Sequence, residues 1–78
     1  MQVLNITVEH IFLACGFTDM RKSVDGLAAI VQQNFQLDPF SNNLFIFFGR
    51  RHDGLKALLW RGDGFLLLYK RLDNGRFR

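Results

Sequence analysis

Cysteine and proline occur once each in this 78-residue chain and histidine twice. A lone Cys15 cannot close an internal disulfide, and its place in an apolar stretch reads as a reduced, buried thiol of a cytosolic (cytoplasmic) protein. Long apolar runs are missing as well. Ile11–Cys15, Leu44–Phe48 and Phe65–Tyr69 each reach only about a quarter of the roughly 20 residues that a spanning helix needs, so no membrane role is expected. The start, "MQVLNITVEHIFLAC", has no Lys or Arg ahead of its apolar stretch and carries Glu9 just before it, unlike a secretory signal. Without export, the glycosylation pattern at Asn5 has no meaning. Serine and threonine are scarce, and neither a GxSxG elbow nor a Cys/His pairing suggests covalent catalysis. "GRRHDG" lacks the Lys followed by Ser or Thr that would make it a phosphate-binding loop. His52 beside Asp53 is half of a metal site at most, with His10 far off in sequence, and a turn is the better reading. No metal and no cofactor is therefore expected.

What the chain does have is apolar bulk: 49% of its residues are hydrophobic and nine are Phe. That is the composition of a folded unit, here one domain over residues 1–78. A chain of this size hides only roughly 60% of its unfolded surface, so a dense core or a partner has to supply the rest. Charge is uneven. Residues 1–49 hold two basic groups, Arg21 and Lys22, against four acidic ones, whereas residues 50–78 hold eight against three. An electropositive second half points to a polyanionic partner, although scattered arginines also make an ordinary solvated surface.

Periodicity gives the elements. Ile11–Cys15 reads as a strand closed by Gly16. Val24, Leu27, Ala28, Val31 and Phe35 then recur at the spacing that stacks side chains on one face of a helix, with Asp19 or Ser23 to cap its start. Gly26 inside that helix suggests close packing against a neighbouring backbone. Pro39 and the "DPFSNN" loop end the segment. Leu44–Phe48, Leu55–Arg61 and Phe65–Leu72 follow as three strands, joined by "GRRHDG" and "RGDG", whose Gly and Asp suit tight hairpins. The expected fold is α+β, β-α-β-β-β, with one amphipathic helix on an antiparallel sheet of about four strands.

None of these strands alternates apolar with polar, as a sheet with one wet face should. A single helix cannot cover both sides. A set drawn from the strands, Phe45, Phe47, Leu58, Trp60, Leu66 and Leu68, is therefore expected to meet a second copy or another protein. The cations give the other candidate site. In an antiparallel meander Arg50, Arg51, Lys70 and Arg71 share one sheet edge with Lys56 close by, and Arg21 and Lys22 join them; such a rim suits phosphate contacts, and equally an acidic protein surface. Arg61 falls at the opposite edge. Its "RGD" context matches an integrin tripeptide by coincidence. The carboxylates sit singly, as turn and cap residues do.

Two segments, "GFTDMRKSVDGLAAIV" and "DPFSNNLFIFFGRRHDGLKALLWRGDGFLLLYKRLDNGRF", resemble those of the TnpB-type (Orf2-like) accessory protein of the IS-sixty-six family of bacterial insertion sequences. The resemblance runs from Gly16 to Phe77. It rests on Thr18 to Lys22, Asp25 to Leu27, Asp38 to Ser41, Gly49 to Arg51, Trp60 to Gly64 and Tyr69 to Leu72. It implies a small protein encoded beside a larger DDE transposase and serving transposition, with members that continue past the end of this chain. It carries no catalytic residues. The RNA-guided nuclease that shares the TnpB name belongs to different elements, and nothing here resembles it. Three readings follow: an accessory protein that binds DNA, the transposase or both; a pure protein adaptor; and a metal-dependent nuclease using Asp19, Asp53 or Asp63.

Overall fold

The computed structural model of the chain describes residues 7–50 and 54–71. Strand β1 runs His10–Phe17, helix α1 Val24–Gln33, and strands β2, β3 and β4 Asn43–Phe48, Gly54–Trp60 and Phe65–Arg71. The strands form one sheet in the order β1-β2-β3-β4. The expected element order is what the structure shows, with one correction to the pairing. The β2–β3 and β3–β4 pairs are antiparallel, but β1 lies parallel to β2, His10 opposite Asn43 and Leu13 opposite Ile46, so the sheet is mixed. The cause is the crossover. A helix between two neighbouring strands carries the chain back to the end where it began, so the second strand starts beside the first.

Helix α1 covers one face of this sheet. Leu27 and Val31 are fully buried against Phe45, Phe47 and Leu58, with Phe12 and Ala14 from β1 and Phe65 and Leu67 from β4 packed around them. The spacing that predicted the helix is the spacing that seats it: Val24, Leu27, Ala28 and Val31 all lie in the core. Phe35 also packs there, its ring stacked 6.5 Å from that of Phe47, although the helix has already ended. Gln36 adopts a left-handed φ of 56° and the Leu37 amide donates to the Val31 carbonyl at 3.0 Å, which turns the chain well before Pro39.

Two smaller expectations are corrected. Ser23 stands at the N-cap position but its side chain makes no capping bond. Gly26 does not meet a neighbouring backbone; a Cβ there would touch the Lys22 side chain at 3.4 Å. The β3–β4 hairpin turns through Arg61–Gly64, where the Arg61 amide donates to the Gly64 carbonyl at 2.9 Å. Gly62 takes the φ of 88° that this turn requires.

No element among the described residues is layered over the opposite face, where Ala57 and Leu59 of the central strand are nonetheless buried, at 6% and 2% exposed. Pairing places Ile11, Leu44, Leu59 and Leu66 in one row across it and Leu13, Ile46, Ala57 and Leu68 in the next. Cys15 belongs to this side, since its neighbour Ala14 packs into the core. It is exposed, not buried as its apolar surroundings suggested, because no helix or strand of the described residues packs over its face of β1.

Candidate nucleic-acid interface

The basic rim is built where β2 ends and β3 begins. Phe48 pairs with Leu55, and the Gly49 amide donates to the Gly54 carbonyl at 2.9 Å. Across β3, Gly54 faces Arg71 and Leu55 faces Lys70. Arg50, Lys70 and Arg71 are therefore at one end of the sheet, all exposed. Arg51 lies outside the described residues, as do His52 and Asp53. Arg61 is in the turn at the far end.

Two contacts bring the loop between β1 and α1 to the same end. The Thr18 amide donates to the Phe48 carbonyl at 2.7 Å, and the Lys56 ammonium donates to the Lys22 carbonyl at 2.6 Å. Arg21 and Lys22, far from the other cations in sequence, thus join the rim in space. Phe17, Thr18, Asp19, Met20 and Arg50 line a shallow hollow of about 320 Å³ there. The Arg50 guanidinium lies over the Phe17 ring, 5.7 Å from its centroid, which holds the arginine at the edge of the hollow.

One acid tempers this surface. Asp19 takes Arg21 in a fork, Nε to Oδ1 at 3.0 Å and Nη2 to Oδ2 at 2.8 Å, and also accepts the Arg21 amide at 2.9 Å. Those bonds from Arg21 hold the Asp19 carboxyl well below the usual carboxylate range, and Asp19 in turn raises the guanidinium. Arg21 keeps its remaining N–H groups for solvent, being 91% exposed.

Lys56 does not belong to the rim's outer surface. Its residue is 7% exposed, with the ammonium on the Lys22 carbonyl and over the Tyr69 ring at 4.8 Å from the centroid. It is a strut beneath the rim. The signal was in the sequence: Lys56 sits two residues from Leu58, and period two puts both on the helix-covered face.

The expected apolar interface is divided by the register. Phe45, Phe47 and Leu58 lie under α1, at most 1% exposed, and have no surface to offer. Trp60 is on that side too, at its margin, its ring 5.0 Å from Phe40 and 4.9 Å from Phe65. Leu66 and Leu68 are on the open face. The reason is that Leu58 pairs with Leu67, so the even-numbered residues of β4 line up with the odd-numbered ones of β3. Of the aspartates considered for metal chemistry, Asp19 is at the rim and Asp63 in the opposite turn, and no metal-holding cluster occurs among the described residues. No helix of the described residues is long and apolar enough to cross a membrane.

Comparison with known proteins adds the family. Two proteins of Sinorhizobium fredii (strain NBRC 101917 / NGR234) are similar, both named only as uncharacterized. One, y4hO, is 45% identical over 68 residues, which is 87% of this chain and 59% of the relative. The other, y4jC, is 34% identical over 68 residues, 87% of this chain and 58% of the relative. The chain thus spans under two thirds of the length of the curated relatives it matches. No solved structure matches it. The family model described as IS66 Orf2 like protein matches residues 9–78, and on that match the chain belongs to the IS66 Orf2-like family.

Proposed function

We propose that the chain serves the transposition of an IS66 element as a binding subunit, using the rim of Arg50, Arg51, Lys70, Arg71, Arg21 and Lys22 to hold DNA phosphates. The family ties the chain to these insertion sequences. The observation that carries the DNA reading is the bond from Lys56 to the Lys22 carbonyl, which supports a single basic surface made from three separate segments. Among the described residues the cations at this sheet end have no acid beside them but the already paired Asp19, and such a group suits a sugar-phosphate backbone. They supply affinity without reading sequence.

The test is titration of the full chain with element-end DNA and with unrelated DNA over a range of salt. Binding to both is expected. Arg50→Ala and Arg71→Ala should weaken it about equally on either DNA, each lowering the logarithmic salt slope by about 0.9 per lost phosphate contact. Absence of binding by the parent chain at about 50 mM salt sinks the reading.

The second reading keeps the same surface and changes its partner: a protein adaptor whose rim meets acidic surface on the element's DDE transposase. The presence of the Asp19 pair beside free cations favours it, since mixed charge is common where proteins meet. Capture of the transposase that survives nuclease treatment, and is lost in Arg50→Ala, distinguishes it from DNA binding.

A further inference from the structure

The open side of the sheet is the feature that the rim does not use. Ile11 is 59% exposed, Leu13 62%, Phe17 65%, Phe48 37% and Leu68 45%. With the half-buried Leu44, Ile46, Leu55 and Leu66 between them, they make one continuous apolar surface across all four strands. Lys70, opposite Leu55 at the rim corner, is its one charged member among the described residues.

We infer that this face is where two copies of the chain pack sheet against sheet. Size is the first argument. Five large apolar side chains, each more than a third exposed, lie together on it, whereas monomers rarely expose contiguous apolar patches above a few hundred Å² and a stable dimer buries ~800 Å² per partner. Chemistry is the second. Apart from Lys70 at its corner, the described strand residues of the face carry no cation for a phosphate and no acid or amide to select a polar partner, whereas an isologous interface asks only that a surface complement itself. A flat aliphatic sheet face meets that condition, because two such faces stack about 10 Å apart with side chains interleaved. Ala57 is the third. It sits between Ile46 and Leu68 in the middle row, leaving a low centre between larger neighbours that receives the partner's ridge. The rim and this face meet at the Lys70 corner and at Phe17, whose ring lies under the Arg50 guanidinium; Arg71, opposite Gly54, belongs to the rim alone.

The test is sedimentation of the full chain at about 1 and 100 µM, alongside Leu13→Glu and Leu68→Glu. A dimer is expected for the parent, and each variant, placing an unpaired charge in the apolar contact, should raise the dissociation constant at least about a hundredfold. Far-UV circular dichroism has to stay that of the parent; if Leu13→Glu loses it, Leu68→Glu on the opposite edge strand is read instead. Cys15 supplies a second readout. Its thiol should react with a soluble disulfide reagent several-fold more slowly in the dimer than in Leu13→Glu. A parent chain that stays monomeric at about 100 µM overturns the inference, as does a dimer indifferent to both variants, or open-ended oligomers of the kind that strand edges make. Arg71→Ala, which should lose DNA affinity, should remain dimeric, so failure of either proposal is visible without the other.

Discussion

The Lys56 ammonium donates to the Lys22 carbonyl across 2.6 Å, and so a strand under the helix holds the loop that leads into it. The bond is charge-assisted and largely withdrawn from water, the kind worth about 1.5–3 kcal/mol, while the desolvated charge that makes it counts against it. Replacement by Met keeps the stem packed on Tyr69 and removes the charge, so Lys56→Met should cost less than about 1 kcal/mol; Lys56→Ala also empties the space and should cost about 2–3 kcal/mol. Denaturant unfolding measures both. In DNA titrations Lys56→Met should leave the salt slope unchanged, since a buried ammonium releases no counterion.

Asp19 occupies the donors of Arg21 that a phosphate would use. Its carboxyl is held below its unfolded value, so the pair is intact at neutral and mildly acid pH, and its contribution is lost only as pH falls through and below the ordinary aspartate range. The Asp19 carboxyl resonance should show no inflection between about pH 7 and pH 3. Asp19→Asn frees the guanidinium, and DNA affinity should rise a few-fold with a salt slope steeper by about one contact. Unchanged affinity in that variant would show that Arg21 takes no part in the rim.

Much of this architecture was legible because apolar periodicity is a local property. The helix face of Val24, Leu27, Ala28 and Val31 and the three later strands came from spacing alone. What escaped was the relation between strands. Nothing in the composition of β1 says that it pairs parallel with β2; that follows from where the crossover returns the chain. Each strand showed two apolar faces, but the register deciding that Leu58 sits with Leu67 and not with Leu66 or Leu68 is set between strands, so the expected interface mixed residues of both sides. Lys56 was misplaced for a related reason, its charge weighing more in the reading than its position two residues before Leu58. Turn positions already grouped Arg50, Lys70 and Arg71 at one end of the sheet, whereas Arg21 and Lys22, expected beside them without any spacing to require it, are held there by a contact between segments far apart in sequence.

Leu27 and Leu13 separate the two sides of the sheet by experiment. Leu27 is fully buried between α1 and the strands, and Leu27→Ala should cost about 3 kcal/mol at any protein concentration, through lost transfer energy and the cavity left behind. Leu13 lies on the uncovered face, so Leu13→Ala should cost less than about 1 kcal/mol in a dilute sample where the chain is monomeric. Its effect should grow with concentration as the second copy binds, because association adds to apparent stability by mass action. Unfolding midpoints measured across a range of concentrations for both variants provide the comparison.

Gly54 links the fold to the rim more tightly than any cation does. Its φ is 137°, a conformation that side chains rarely adopt, and a Cβ there would run into the Lys70 carbonyl oxygen and meet the Arg71 Cα at 3.1 Å. Both obstacles are backbone of the adjoining strand, so neither can swing aside as a side chain would. Gly54→Ala has to push the end of β4 outward or abandon the pairing there, and should destabilise the chain by about 3 kcal/mol or more. Damage should concentrate at the rim, since β4 at Phe65–Leu68 is anchored by the core. Amide exchange should accelerate at Leu55, Lys70 and Arg71 while Leu58 and Leu67 stay protected, and DNA affinity should fall even where the variant remains folded. Uniform loss of protection through β3 and β4 would show instead that the glycine holds the whole hairpin and not its basic end.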